Sequence, residues 1–98
     1  MRKKIAKRAY DAALAREYAA LLKTLKDRAA GAESPEDIWA ISEYLKAQEK
    51  AIGWKYDYRY SKLLSVFGRL VKEGWISAED LAGLSEEKRG IIDYLAEN

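Results

Sequence analysis

The chain has no cysteine and no histidine. Their absence excludes disulfide bonds, thiolate nucleophiles, imidazole bases and every metal site built from Cys or His ligands. The sequence also has no apolar run of about 18 residues, which a membrane-spanning helix would need, and its N-terminus lacks the apolar stretch of a secretory signal. Since 98 residues suffice for one domain only, we expect a single cytoplasmic domain (residues 1–98) that spans no membrane.

The sequence also contains no arrangement of residues that is typical of a catalytic site. Catalysis needs a nucleophile with a base, a metal, or two carboxylates held in a cleft. Most of the acidic residues here either lie at helix starts, where carboxylates face the positive end of the helix, or are partners of nearby Lys/Arg. No glycine-rich loop precedes a helix in a position to hold phosphate. We therefore predict a non-enzymatic protein with no catalytic residues, no metal and no cofactor.

Positive charge is concentrated at one end of the chain. Residues 1–28 hold nine Lys/Arg and three Asp/Glu, a net charge of +6, whereas residues 29–98 carry a net charge of −4. Such a basic arm is found in nucleic-acid tails, but it equally complements an acidic neighbour in the same chain or a second copy. Because residues 2–8 lack the interleaved aromatics of a nucleic-acid patch, nucleic acid is the weaker alternative.

A long first helix is predicted from Lys4 to Ala30, which consist mainly of strong helix formers. A helix of about 26 residues is nearly 40 Å long, more than the rest of this chain could cover. Its narrow apolar seam is therefore predicted to meet a second copy of the protein, which makes a homodimer. The seam consists of Tyr10, Leu14, Tyr18, Leu21 and Leu25, with alanines on either side.

The second helix has a clear start at Ser34-Pro35-Glu36-Asp37. Serine serves as the N-cap, proline takes the first helical position, and the acids complement the positive helix end. We expect this helix to continue to Ile52 and to end at Gly53 or its neighbours. Its buried stripe, spaced at helical intervals, is formed by Ile38, Ile41, Leu45 and Ile52.

Trp39 lies on the opposite side of the second helix. At about 100° per residue it points roughly 130° away from the centre of the stripe. Glu43, Lys46 and Lys50 share its face. A large indole on a charged face commonly marks a contact with another molecule. The alternative is that a neighbouring helix of this small chain covers the ring.

Residues 53–98 are predicted to form a small helical head. Alternating aromatics from Trp54 to Tyr60 are typical of a strand, but helical spacing from Tyr56 to Val71 favours a third helix, which continues to Gly74. Two later N-cap signals predict a short helix over Leu81 and Leu84 and a final helix that carries Ile91, Ile92 and Leu95, while Trp75 and Ile76 fill the core of the head.

A charged and aromatic cluster, residues 55–59, lies at the junction of the second and third helices. One reading is structural, because Asp57 could pair with Arg59 or Lys62 while the tyrosines pack with their hydroxyls toward solvent. The other reading gives Arg59 a role in contacting a partner. The sequence leaves both open.

Between residues 35 and 92, short motifs follow one another in a distinctive order and spacing. They are Ile38-Trp39, Glu43-Tyr44-Leu45, Ile52, Lys55-Tyr56-Asp57-x-Arg59, Val66-Phe67, Leu70-Val71, Glu73-Gly74 and Glu79-Asp80-Leu81. This pattern resembles the fluorescence recovery protein family of cyanobacterial photoprotection. The N-terminal helix matches only as a long amphipathic helix.

The resemblance implies an all-α homodimer. Its first two helices (residues 1–52) would form an extended antiparallel dimer stem, with the remaining helices as a head at each end. Members of the family bind the light-activated orange carotenoid protein through its C-terminal domain, speed its return to the inactive form and help to detach it from the phycobilisome. They are not enzymes and carry no pigment. The implied dimer interface consists of Tyr18, Leu21, Leu25, Ile38, Ile41 and Leu45.

The match at the family's binding positions is mixed. Trp39 corresponds to the family's functional tryptophan, and Glu43 replaces the usual aspartate with the same charge. Ser42 stands where a histidine is usual, and Glu49 stands where an arginine is usual, which reverses the charge. A dimeric adaptor with a different protein partner is therefore the alternative function. The expected partner-binding residues are Trp39, Ser42, Glu43, Lys46, Glu49, Lys50 and Arg59.

Overall fold

The computed structural model of the protein describes residues 3–97, and no β-strand is present in that part of the chain. The all-helical fold class predicted from the sequence is confirmed. Two long helices are followed by two shorter ones, with single 3₁₀ turns at Tyr60–Lys62 and Glu79–Leu81. The helices are α1 (Lys3–Ala30), α2 (Pro35–Lys55), α3 (Leu63–Lys72) and α4 (Glu86–Glu97).

The chain is elongated. Its principal extents are 52 × 23 × 22 Å and its radius of gyration is 16.1 Å, compared with about 13 Å for a compact domain of this length. Helices α1 and α2 run antiparallel, since Glu17 bonds to Lys55 and the Arg28 guanidinium lies 4.0 Å from the Tyr44 ring centroid. We call the protruding part of this hairpin, residues 18–51, the stem, and the remainder the head.

The start of α2 confirms the predicted cap. Ser34 has extended backbone angles (φ −138°, ψ 162°), and its hydroxyl accepts the backbone N–H of Asp37 at 3.3 Å. The Asp37 carboxylate accepts the N–H groups of Glu33 at 2.9 Å and Ser34 at 3.2 Å, and these bonds lower its pKa. Such caps contribute about 1 kcal/mol to helix stability, so the turn between the two stem helices is sharply defined.

The sequence predicted that the second helix ends at Gly53 or its neighbours; α2 continues through Gly53 and ends two residues later, at Lys55. Glycine lowers helix stability by about 1 kcal/mol, but the last turn is held by tertiary contacts. Ile52 is buried, and the N–H of Tyr56 donates to the Ile52 carbonyl. Lys55 is bound by one carboxylate from α1 and by another just after α3. Burial and ion pairing outweigh the local preference here.

The head core lies between α3 and α4 and also includes the first half of α1. Phe67, Leu70 and Ile92 are fully buried. At Gly68, an added Cβ would lie 2.7 Å from the Leu95 Cβ, so glycine permits the close approach of α4. Ala6, Ala9 and Ala13 of α1 are buried in the same core. The first half of α1 therefore belongs to the head, although the sequence predicted a stem helix throughout.

The third helix begins later than the sequence predicted. Residues 56–59 are not helical, a 3₁₀ turn follows, and α3 starts only at Leu63. The Asp57 carboxylate accepts the backbone N–H of Arg59 at 3.1 Å, while the Tyr10 hydroxyl donates to the carbonyl of Tyr56 at 3.0 Å. Because these bonds replace helical ones, the chain turns a corner between α2 and α3.

The predicted short helix over Leu81 and Leu84 is a single 3₁₀ turn, Glu79–Leu81. Gly83 has a positive φ of 101°, and an added Cβ would collide with the Ile5 side chain. The chain therefore turns at Gly83 against α1, and both leucines reach the core by this turn rather than along one helix. Ile76 is buried and Trp75 packs against the core, as predicted.

Arg16 ties the middle of α1 to the head. Its guanidinium donates to both carboxylate oxygens of Asp80, at 2.7 and 3.1 Å, and to the Trp75 carbonyl at 2.9 Å. Asp80 also accepts the backbone N–H and the hydroxyl of Ser77. One basic residue of the first helix thus pairs with an acidic residue elsewhere in the same chain.

Acid is expected to weaken the Arg16–Asp80 contact. The hydrogen bonds from Arg16 lower the pKa of Asp80 to about 2, below the value of about 4 in an unfolded chain. Its stabilising contribution is therefore complete above about pH 5 and is lost as the pH falls through 4 toward 2. We expect Asp80→Asn to lower the free energy of unfolding by about 1–2 kcal/mol at pH 7. In urea unfolding, the difference from wild type should narrow between pH 5 and pH 2.5; a constant difference would contradict this.

Candidate functional site

Trp39 is not covered by its own chain. The residue is 67% exposed, so the alternative in which a neighbouring helix of the same subunit buries the indole does not hold. Helix α2 presents it on the outer side of the stem, and Glu43, Lys46 and Lys50 on the same face are also exposed. We call these four residues the tryptophan face.

The charged groups of the tryptophan face are exposed to solvent. Lys46 lies 4.0 Å from the Glu43 carboxylate, at the limit of an ion pair, with both side chains largely exposed. Lys50 forms no ion pair with any residue in 3–97. Exposed pairs of this kind contribute little to stability, so these groups are available for a partner at small cost. Ser42 is half-buried and Glu49 exposed at the edge of the same region.

The seam of the stem leaves apolar side chains unshielded within one chain. Tyr18 is 49% and Ile38 57% exposed. Leu22, which sequence reasoning did not single out, is likewise half exposed; its position beside Leu21 in the seam was the available signal. The other predicted interface residues are half-buried between the two helices, namely Leu21, Leu25, Ile41 and Leu45.

The cluster at residues 55–59 is largely structural. The Lys55 ammonium is buried and donates to the Glu17 carboxylate of α1 and to the Glu73 carboxylate after α3, at 2.6 Å in each case. The Tyr56 hydroxyl donates to the other oxygen of Glu17 at 2.8 Å. We call Glu17, Lys55, Tyr56 and Glu73 the joint, since they connect α1, α2 and α3 where the stem meets the head.

The carboxylates of the joint are paired with cations. Burial would raise the pKa of Glu73, but hydrogen bonds from Lys55 and Arg69 and their charges outweigh it, and the net pKa is lowered. Burial, with the hydrogen bond to Glu17 second, raises the pKa of Tyr56 far above its usual value, so the phenol keeps its proton and remains a donor. No buried side-chain N or O atom in the described residues lacks a hydrogen-bond partner. The joint therefore holds stem and head in one geometry.

Arg59 lies in the head, not on the tryptophan face. Its guanidinium bonds to the Asp57 carboxylate at 2.6 to 3.0 Å, which lowers the pKa of Asp57. The side chain is nevertheless mostly exposed. Near it lies Trp54, the most exposed tryptophan of the protein at 78%, to which the sequence gave no binding role.

Two further observations concern residues 3–97 as a whole. None of the helices in that part of the chain is both long and apolar enough to cross a bilayer. No three acidic, histidine or cysteine side chains there come together in an arrangement suited to a metal ion. The geometry that stands out is an exposed indole on a charged stem face, with the ion pairs of the joint at the base of the stem.

Comparisons with known proteins agree with one another. The sequence pattern of the family described as photoprotection regulator fluorescence recovery protein matches residues 1–96. The fluorescence recovery protein of Synechocystis sp. is 37% identical over 81 residues, which cover 83% of this chain and 74% of that protein. The solved fluorescence recovery protein of Fremyella diplosiphon superposes with a TM-score of 0.92 at 36% identity, over 98% of this chain and 94% of that one. The solved fluorescence recovery protein of Synechocystis sp. superposes with a TM-score of 0.92 at 34% identity, over 97% of this chain and 93% of that one.

Proposed function

The chain belongs to the fluorescence recovery protein family of photoprotection regulators, and from this premise we propose that it binds the photoactivated orange carotenoid protein. It would contact the C-terminal domain of that protein and accelerate its return to the inactive form, which ends the quenching of antenna fluorescence. The protein acts in this proposal as a non-enzymatic cytoplasmic regulator without a cofactor.

The exposure of Trp39 carries this proposal. The Trp39 indole is two-thirds exposed, so its apolar surface is in contact with water in the free protein. Burying that surface against a partner is favourable in free energy. Glu43 and Lys46, which hold each other only weakly, would fix the orientation of the partner. Trp39 is also the residue that corresponds, by the sequence resemblance, to the family's functional tryptophan.

Accelerating relaxation requires preferential binding of one arrangement of the carotenoid protein. A tenfold increase in rate corresponds to a barrier lower by about 1.4 kcal/mol. The regulator must therefore bind the transition arrangement of the two carotenoid-protein domains more tightly than the separated one. A rigid joint serves this purpose, because a surface that is already ordered pays less entropy when it binds.

The direct test is to add the chain to photoactivated orange carotenoid protein and to follow recovery of the inactive form in darkness by absorbance. We expect recovery to speed up in proportion to the concentration of the chain until the carotenoid protein is saturated. An unchanged rate, with the chain folded and in excess, would reject the proposal.

The stem supports a homodimer as part of the same proposal. Half-exposed Tyr18, Leu22 and Ile38 form apolar surface on a protruding hairpin that the head does not cover. Large apolar side chains left exposed along one element are typical of interaction sites in soluble proteins. A second stem packed antiparallel would cover it and leave the tryptophan face outside, because Trp39 lies on the far side of α2 from the stripe.

Ile38→Glu is expected to convert the dimer to monomers. The substitution places a charge in the seam of the dimer, where its burial without a partner costs several kcal/mol. Light scattering coupled to size exclusion should give the mass of one chain instead of two. Ala47→Glu is the matched control, since Ala47 is exposed on the outer side of the same helix; it should remain dimeric. A dimeric Ile38→Glu variant would contradict the interface.

Ser42 and Glu49 favour a second candidate, a dimeric adaptor with another protein partner. Glu49 is exposed, so the reversed charge at this position would meet a partner directly, and like charges across an interface cost several kcal/mol. An inactive recovery assay with an intact dimer would favour this candidate. The basic N-terminal segment is the remaining alternative: Arg2 lies outside the described residues, and Lys7 is paired with Asp11 at 3.0 Å. A salt-dependent gel shift with random duplex DNA would reveal nucleic-acid binding.

A further inference from the structure

Trp54 lies on the same side of α2 as Trp39. The two residues are 15 positions apart in one continuous helix, which separates them by about 60° around the axis and about 22 Å along it. Lys46 and Lys50 lie between them on this side, and both are exposed. The exposed strip of α2 therefore begins and ends with an indole.

The exposure of Trp54 has no structural purpose within the chain. Trp75, by contrast, packs against the head core and donates its indole N–H to Glu73 at 3.2 Å. The Trp54 side chain makes no hydrogen bond or ring contact with any described residue, and the residue is 78% exposed. Leaving such a large apolar ring in water contributes nothing to folding, so its position needs a different explanation.

A cationic cavity of about 340 Å³ adjoins the Trp54 ring. Its wall includes the cations Arg59, Lys62 and Arg69. It also includes one carboxylate, Asp57, whose charge is paired with Arg59. Arg69 uses only its Nε to bind Glu73, so its two terminal nitrogens remain available to a carboxylate in the fork geometry that favours arginine. Lys62 forms no ion pair with a residue in 3–97, and its charge reaches Asp57 only as a weaker attraction.

We propose that Trp54 and this cavity form a second anchor for the partner, which receives an acidic protein segment with an apolar side chain. The apolar side chain packs on the Trp54 ring while carboxylates bind Arg69 and Lys62. Charge complementarity identifies the occupant, since the wall of the cavity presents cations with unused donors around an exposed indole. This inference rests on the proposed function and names a further surface for the same partner.

The spacing of the two indoles fits one interface. A standard protein–protein interface buries about 800 Å² on each side, a patch roughly 30 Å across. Anchors about 22 Å apart therefore fall within a single contact. Because Trp54 is fixed on the last turn of α2 by its neighbour Lys55, the joint sets its distance from Trp39 before the partner arrives.

The test compares Trp54→Ala with wild type in binding to photoactivated orange carotenoid protein, measured by calorimetry. We expect binding to weaken at least tenfold, with the helical circular dichroism, the melting temperature and the dimer mass unchanged. Lys62→Glu should weaken binding as well, and more so at low salt. Tyr60→Ala is the matched control: it removes an equally exposed aromatic ring that lies outside this cavity, and it should bind like wild type.

The outcomes separate this inference from the proposed function. If wild type binds and Trp54→Ala binds equally well, the second anchor is rejected while the proposed function stands. If wild type does not bind the carotenoid protein, the proposed function fails, and the same variants are titrated with a copolymer of glutamate and tyrosine. The second anchor is supported if wild type binds the copolymer and both Trp54→Ala and Lys62→Glu bind it more weakly. It is overturned if wild type does not bind the copolymer, or if the variants bind it as well as wild type does.

Discussion

Lys55→Met is expected to lower the free energy of unfolding by about 3–5 kcal/mol, the largest effect on stability that we predict. Methionine keeps most of the aliphatic volume but removes the ammonium that bonds to Glu17 and Glu73 at 2.6 Å. Glu73 retains Arg69 and Trp75, whereas Glu17 keeps only the Tyr56 hydroxyl. The cost arises mainly from the largely buried Glu17 carboxylate, which is left without its cation. Urea denaturation followed by circular dichroism measures it.

Two controls separate the buried ion pair from the loss of a surface charge. Lys46→Met removes a lysine from the exposed part of the same helix, where its partner lies 4.0 Å away, and should change stability by less than about 0.5 kcal/mol. Lys55→Met combined with Glu17→Gln should be more stable than Lys55→Met alone, because the second change neutralises the orphaned carboxylate. If the double variant is less stable than Lys55→Met, the penalty does not come from Glu17.

The corner between α2 and α3 shows why part of the head could not be predicted. Helical spacing from Tyr56 onward is present in the sequence, yet residues 56–59 follow a different path. Their path is decided by Tyr10, which lies 46 positions earlier and donates to the Tyr56 carbonyl, and by the local carboxylate of Asp57. Local periodicity contains no information about a partner so distant in sequence, and tertiary contacts routinely outweigh propensity.

Features with a local physical cause were predictable. The Ser34 cap depends on residues within one turn, and the outward position of Trp39 follows from helical geometry alone. The role of Gly53 was not predictable, because the energy that carries α2 past it is supplied by α1 and by Glu73. Trp54 was missed for the same reason: its exposure depends on α2 continuing beyond Gly53, and without that turn it has no defined face.

Trp39→Ala is expected to abolish the acceleration of carotenoid-protein recovery and to weaken binding about 30-fold or more. Hot-spot tryptophans contribute about 2 kcal/mol or more to an interface, and each 1.4 kcal/mol corresponds to a factor of ten in affinity. Because the ring is 67% exposed, its removal should change the free energy of unfolding by less than about 0.5 kcal/mol and leave the dimer mass unchanged. A melting temperature lower by several degrees would show that the assembled protein buries the indole.

The pair of tryptophans makes this prediction sharper. Trp39→Phe keeps an apolar ring at the position and should retain part of the affinity, whereas loss equal to that of alanine would point to the indole N–H as the recognised group.

Trp39 and Trp54 share no contacts, and about 22 Å of helix separates them. If both rings contact one partner independently, the binding losses of Trp39→Ala and Trp54→Ala should add in the double variant. A double variant no weaker than Trp39→Ala would mean that Trp54 contributes nothing once the first anchor is gone.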